Sequence, residues 1–459
     1  MVLLTLFAAP GAAQSSIEGD WQGSLAVGGA NLRLAFHVKT ADGKLTATLD
    51  SVDQGAMGLP FDSVTVTDSA VKLEMKAATA VFEGTLSADG STIDGTWTQG
   101  GMPRPLVLKR GKVAVTAPKR PQVPVKPYPY LEEEVTYQNK AAGVTLAGTL
   151  TLPRATAPVP AVILITGSGA EDRDETVFGH KPFLILADHL TRSGIAVLRL
   201  DDRGVGGSTG KVSTSTSEDF ADDAIAGIAY LKGRKEIDPK KIGLLGHSEG
   251  GLIGPIAATR SSDVAFVVML VGPGLPGEQI LYLQAAAILR ANGAPEALIA
   301  SNRVIQERML AIAKAEKDPA AARAKFAEVR TEFVATVPPA QQQAATAQLN
   351  AQFEGVITPW FRYFLTYDPR PALAKMKCPV LAVIGEKDLQ VPYAENLEAI
   401  AAAFKSGGNT DTTLVHLPGL NHLFQTATTG SPSEYTRIEE TMAPIALKTI
   451  TEWIQNLKR

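Results

Sequence analysis

Two hydrophobic rhythms divide this chain. From Ile17 to about Arg110, apolar residues alternate with polar ones over short runs; Leu32, Leu34, Phe36 and Val38 mark one such face. That period-two pattern belongs to a half-buried strand. Similar runs recur at Lys44–Asp50, Ser63–Thr67, Val71–Met75, Val81–Leu86, Thr92–Thr98 and Leu106–Lys109, with Asp42-Gly43 and Asp89-Gly90 as hairpin turns. About eight strands at roughly ten-residue spacing predict a small antiparallel β-barrel or sandwich over residues 17–110. Trp21 and Trp97, each beside a glycine, are expected to close its core.

From Leu131 the rhythm changes. Ala161–Thr166, Ile195–Leu200, Lys241–Leu245, Val264–Val271, Val380–Ile384 and Thr413–Leu417 are unbroken apolar runs of strand length. Strands covered on both faces read this way, as in a parallel sheet. Between them, Phe183, Leu184, Leu186, Ala187 and Leu190 form one helical face and Phe220, Ala224, Ile225, Ile228 and Leu231 another, with Thr216 and Asp219 as a cap. The alternation predicts an α/β domain, doubly wound around a mostly parallel sheet, over residues 131–459. Four prolines between Lys119 and Tyr130 predict an extended linker over residues 111–130. Residues 273–360 interrupt the pattern with Ala, Gln, Glu and Lys, and are expected to form a helical cap.

Chemistry concentrates at Gly246-His247-Ser248-Glu249-Gly250, a Gly-x-Ser-x-Gly run between a predicted strand and a predicted helix. A sharp turn there exposes a serine hydroxyl above the sheet, and flanking glycines relieve the crowding. Ser248 is the candidate nucleophile and Glu249 contributes an oxyanion-hole amide. A serine needs a base, and the base needs an orienting acid. Of six histidines, His37 lies in the β region, His180 and His189 precede the serine, and His416 falls inside a strand. His247 reads as a packing or supporting residue. His422, in a glycine-containing loop after the last strand, is the candidate base. Asp388, directly after Val380–Ile384, is the candidate acid, with Glu386 its competitor. Thr166-Gly167-Ser168-Gly169 follows an earlier strand, so Ser168 or Gly169 is expected to supply the second oxyanion donor. Glu171 to Asp174 are expected to pair among themselves, and Asp201-Asp202-Arg203 to brace the elbow.

Composition narrows the class. Lys and Arg total 44 against 47 Asp and Glu, for a net charge of −3, with no basic concentration suited to nucleic acid. The one cysteine, Cys378, excludes an internal disulfide. No metal-ligand spacing or phosphate-binding glycine motif is present, so no cofactor is expected. Residues 1–14 combine a short apolar run with small residues ending near Ala13, the pattern of a secretory signal peptide, and predict a periplasmic or secreted protein. No segment is long and apolar enough to be a membrane span.

Taken together, the elbow, Asp202-Arg203-Gly204-x-Gly-x-Ser208, Gly385-x-x-Asp388 and Asn421-His422 resemble the α/β-hydrolase superfamily. The Ser-Glu-Gly-Gly elbow and Gly167-Ser168-Gly169-x-x-Asp172-Arg173-Asp174 are similar to two-domain bacterial carboxylesterases of the EstD type, related to acyl-peptide-hydrolase-like serine hydrolases. The resemblance covers residues 131–459. It implies Ser248 as nucleophile, His422 as general base and acid, Asp388 as orienting acid, and short-chain acyl esters as small-molecule substrates. Thr166 departs from relatives in which a histidine precedes the oxyanion glycines. A peptidase or aminoacyl hydrolase would use the same three side chains; a carbohydrate- or lipid-binding protein would need none of them.

Overall fold

The computed structural model describes residues 16–27, 30–41, 43–52, 56–75, 80–99, 102–112, 119–339 and 342–457. The leader expected over residues 1–14 lies outside them. One compact unit falls within residues 1–117 and takes in 337–348; the other comprises 118–336 and 349–459.

Among the described residues, the smaller unit contains nine strands: β1 (Gly19–Val27), β2 (Ala30–Ala41), β3 (Lys44–Ser51), β4 (Ala56–Pro60), β5 (Ser63–Thr67), β6 (Ala70–Met75), β7 (Ala80–Leu86), β8 (Thr92–Gln99) and β9 (Met102–Arg110). They form one antiparallel sheet in the order β4-β3-β2-β1-β9-β8-β7-β6-β5. The strands make a single sheet that curls over its apolar face as a half-barrel. Alternation puts Trp21, Phe36, Phe82 and Trp97 on that face, all buried. Phe36 is central, 5.5 Å from Phe82 and 6.0 Å from Trp97 between ring centroids, both edge-on.

The larger unit carries an eight-stranded sheet. Its strands are β10 (Leu131–Asn139), β11 (Val144–Leu152), β12 (Val159–Ile165), β13 (Ala196–Leu200), β14 (Ile237–His247), β15 (Val267–Leu270), β16 (Val380–Gly385) and β17 (Thr412–Leu417). Their order is β10-β11-β13-β12-β14-β15-β16-β17. β10 and β11 form an antiparallel hairpin, β11 meets β13 antiparallel, and the remaining pairs are parallel. The hairpin was not marked by the apolar runs, because β10 is an outer strand with Glu132, Glu133 and Glu134 on it.

Helices cover both faces. α1 (Pro182–Arg192) precedes β13; α2 (Ser217–Lys232) and α3 (Gly250–Arg260) flank β14. The run Val162-Ile163-Leu164-Ile165 divides its side chains between two cores. Ile163 and Ile165 join Ala224, Ile228 and Leu252 from α2 and α3. Val162 and Leu164 join Phe183, Leu186 and Leu190 from α1. Thr216 and Asp219 do form a reciprocal cap on α2.

Between β15 and β16 the chain runs through α4 (Gly277–Ala291), α5 (Glu296–Ala315), α6 (Pro319–Val334), α7 (Gln342–Val356), α8 (Pro359–Thr366) and α9 (Arg370–Lys375). The helical run thus passes beyond the boundary at 360 drawn from composition, because α8 is aromatic where its predecessors are rich in alanine and glutamine. α10 (Tyr393–Gly407) and α11 (Pro444–Gln455) complete the unit.

Phe36→Ala removes the ring at the centre of the smaller core and should cost about 3–5 kcal/mol. A fall in the urea midpoint, followed by tryptophan fluorescence, measures it; an unchanged midpoint would contradict this packing.

Candidate active site

Ser248 follows β14 directly and has φ 53°, the left-handed region that non-glycine residues seldom enter. Sterics force this turn to carry glycines. A Cβ on Gly246 would sit 1.9 Å from the Gly250 carbonyl oxygen, and one on Gly250 would sit 2.2 Å from that of Ile165. The Ser248 N–H donates to the Leu270 carbonyl at 2.8 Å, tying the elbow to β15. Glu249 is the N-cap of α3, so its amide stands at the positive end of that helix.

His422 and Asp388 arrive on loops after β17 and β16. His422 Nδ1 lies 2.8 Å from Asp388 Oδ2, and both residues are buried. The other carboxylate oxygen of Asp388 accepts from the Gln390 and Val391 amides at 2.8 and 2.9 Å. Asp388 therefore faces the imidazole as a fixed acceptor, which leaves Nε2 of His422 to act on other groups. Asn421 shapes this loop: its side-chain oxygen accepts from the Leu423 and Gln425 amides. Glu386 instead accepts from the Gly419 amide, stapling the loop from outside.

The other histidines are engaged elsewhere. His37 bridges Asp20 and Asp50 in the smaller unit. His180 meets Thr441 and the Tyr435 carbonyl. His189 lies on α1, and His416 stacks on Tyr393.

Ser168, Ser248, Glu249 and His422 line one cavity of about 450 Å³. Helices α4 and α8 supply its apolar wall, through Ile280, Leu281, Trp360, Phe361 and Phe364. A larger cavity of about 870 Å³, near Tyr282, Arg303 and Glu398, touches none of Ser248, Asp388 and His422. In the oxyanion loop the Gly167 amide is already used, donating to Glu175 Oε1 at 2.8 Å. Gly169 adopts φ 135°, a conformation suited to glycine.

The loops at Glu171–Asp174 and Asp201–Arg203 brace each other. Asp202 accepts from Thr166 Oγ1 and the Glu171 amide, and Asp201 is gripped by Arg173. Arg203 binds Asp223 and Asp219 on α2. The Asp201-Asp202-Arg203 run thus braces the oxyanion loop and α2 more directly than the elbow. Nor do the charges of Glu171–Asp174 pair internally: Arg173 reaches Asp201 and Glu134, while Asp174 binds Arg199 and Lys181. Burial pushes the Asp202 carboxyl up to about 7. Burial, with Glu175 and Asp172 nearby, raises Glu171 to about 7 as well.

Sequence reasoning missed Glu175 and Trp360. Glu175 sits 2.9 Å from His247 Nδ1. The Trp360 indole N–H donates to Glu249 Oε1 at 2.8 Å, an oxygen that also accepts from Ser217. A tryptophan in an otherwise alanine-rich stretch was the available signal. Among the described residues, no helix is long and apolar enough to cross a membrane, and no group of His, Cys, Asp or Glu could hold a metal ion.

The sheet order, the elbow after its fifth strand and the loops after its last two strands are those of an α/β-hydrolase fold. Residues 182–355 match the family model described as serine aminopeptidase, S33. Esterase EstD of Thermotoga maritima is 32% identical over 169 residues, which span 36% of this chain and 39% of that protein. Among solved structures, the Pyrococcus furiosus esterase Pf2001 overlaps 65% of this chain and 89% of its own, at 18% identity and a TM-score of 0.41. Est1E of Butyrivibrio proteoclasticus, solved with ferulic acid, overlaps 70% and 96%, at 18% identity and a TM-score of 0.38. The likeness to EstD thus covers well under half of either protein.

Gly246→Ala should destabilise by at least about 2 kcal/mol, since its methyl meets backbone. Gly254→Ala, whose nearest neighbour would be 3.3 Å away on a side chain, should be nearly neutral. Equal urea midpoints for the two variants would refute the steric reading of the elbow.

Proposed function

We propose that this protein is a serine carboxylesterase that hydrolyses short-chain acyl esters through Ser248, His422 and Asp388. The observation that carries the reading is a left-handed Ser248 opening into the same cavity as a His422 whose Nδ1 is held by Asp388. The Ser248 hydroxyl attacks the ester carbonyl while His422 Nε2 takes its proton, and buried Asp388 stabilises the resulting imidazolium. The amides of Glu249 and of Ser168 or Gly169 hold the oxyanion; loss of one such donor costs about 3–4 kcal/mol of transition-state stabilisation. As the carbonyl reforms, the alcohol leaves with the proton from His422. Water, deprotonated by His422, then attacks the acyl-enzyme and releases the acid and free Ser248. A cavity near the small end of the range for small-molecule sites, with an aromatic wall, favours compact acyl groups.

A p-nitrophenyl ester series from acetate to octanoate tests this. Turnover should peak at the short chains and fall at least about 10³-fold in Ser248→Ala. Retained turnover in that variant would overturn the assignment.

The family description of residues 182–355 favours a second reading, in which the same three side chains cleave short peptides. Faster turnover of aminoacyl p-nitroanilides than of matched esters would select it. Export belongs to the proposal too: the mature protein should be found outside the cytoplasm and begin just after Ala13, and a protein that stays in the cytoplasm with Met1 or Val2 at its N-terminus would refute it.

A further inference from the structure

His247 occupies the variable position of the elbow, is buried, and contacts two loops at once. Its Nδ1 lies 2.9 Å from Glu175 Oε1 and its Nε2 lies 3.0 Å from the His422 carbonyl oxygen. The His422 carbonyl only accepts, so Nε2 carries hydrogen. Glu175 Oε1 accepts from the Gly167 amide, and an Nδ1–H donating to the same oxygen makes His247 an imidazolium paired with Glu175. Glu175 itself has φ 52°, a left-handed backbone held in place by its surroundings, and its Oε2 is buried without a hydrogen-bond partner.

We propose that the His247–Glu175 ion pair is a positioning device that locks the oxyanion loop at Gly167 to the backbone of His422, setting the distance between hole and base. This inference rests on the proposed serine chemistry. The ion pair touches no reacting atom; it acts through the two loops that do. Charged and titratable groups face His247 from each packed element: Glu175 and Glu171 from the oxyanion loop, Asp388 from the loop after β16, and His422 with its ring centroid 5.0 Å away. Burial works against the charge, but Glu175, the His422 carbonyl and Asp388 together raise His247 to about 9. Because this value lies above that of a free histidine, the locked state is complete below about 6.5 and is lost as pH rises through about 9.

Glu175→Gln retains shape and removes the charge; His247→Asn removes the bridge. In the full-length protein, both should lower kcat, and the rate at which a p-nitrophenyl phosphonate labels Ser248, by about 10- to 100-fold with KM within about threefold. The alkaline midpoint of kcat should move in Glu175→Gln from about 9 towards about 6.5. Folded variants that label at the wild-type rate, with the wild-type pH profile, would overturn the proposal. Should either variant fail to fold, nitrogen-15 histidine spectra of the wild type decide alone: both His247 nitrogens protonated at pH 8 supports the lock, and a neutral ring at that pH refutes it. A wild-type Ser248 that never labels counts against the esterase reading instead, and leaves the His247 titration to be judged on the spectra.

Discussion

The geometry of the site follows from a crowding constraint at the end of β14. Three backbone segments converge there: the elbow, the first turn of α3 and the end of β12 with its Ile165 carbonyl. No side chain fits between them, so the chain must turn at once and Ser248 has nowhere to point but upward. The amide of the same residue binds the end of β15, which registers the elbow against the next strand. The oxyanion loop begins one residue beyond Ile165. Ser248 and the loop at Gly167 are therefore positioned by a single close approach, and their separation depends on backbone packing more than on flexible side chains.

Around this rigid point the loops are held by charge and hydrogen bonding. Asp202 holds the start of the oxyanion loop, Arg173 draws its far end onto Asp201, and Arg203 carries the connection to α2. Such buried networks are costly when half satisfied and rigid when complete. Glu249 joins two roles in one residue. Its amide stands beside the serine, while its carboxylate takes hydrogen bonds from Ser217 and from Trp360 in the helical insertion. The apolar wall is thereby anchored to the residue next to Ser248.

What the sequence disclosed follows from how local each signal is. The elbow, the parallel strands and the loop positions of Asp388 and His422 were legible because glycine spacing and apolar runs report on nearest-neighbour geometry. The curled sheet was legible as strands but not as a shape, since alternation fixes which face is buried and leaves closure to distant pairings such as β1 with β9. The β10–β11 hairpin escaped because its outer strand is charged. Glu175 escaped for another reason: it lies 72 residues before His247, inside a run of acids whose partners only the fold could assign. The run Asp201-Asp202-Arg203 was expected to brace the elbow, but the direction of its ion pairs, towards the oxyanion loop and α2, required the third dimension.

The placement of the helical insertion has a consequence for the chain as a polymer. β15 and β16 are parallel neighbours, yet among the described residues six helices separate them in sequence. The entropy of closing a flexible loop grows only logarithmically, so doubling its length costs about 0.6 kcal/mol. Once two strands are joined by so long an excursion, further lengthening hardly disturbs their pairing. The junction between β15 and β16 is thus a place where this fold can acquire or exchange whole helices, and with them the wall of its cavity, while the strands beneath keep their register.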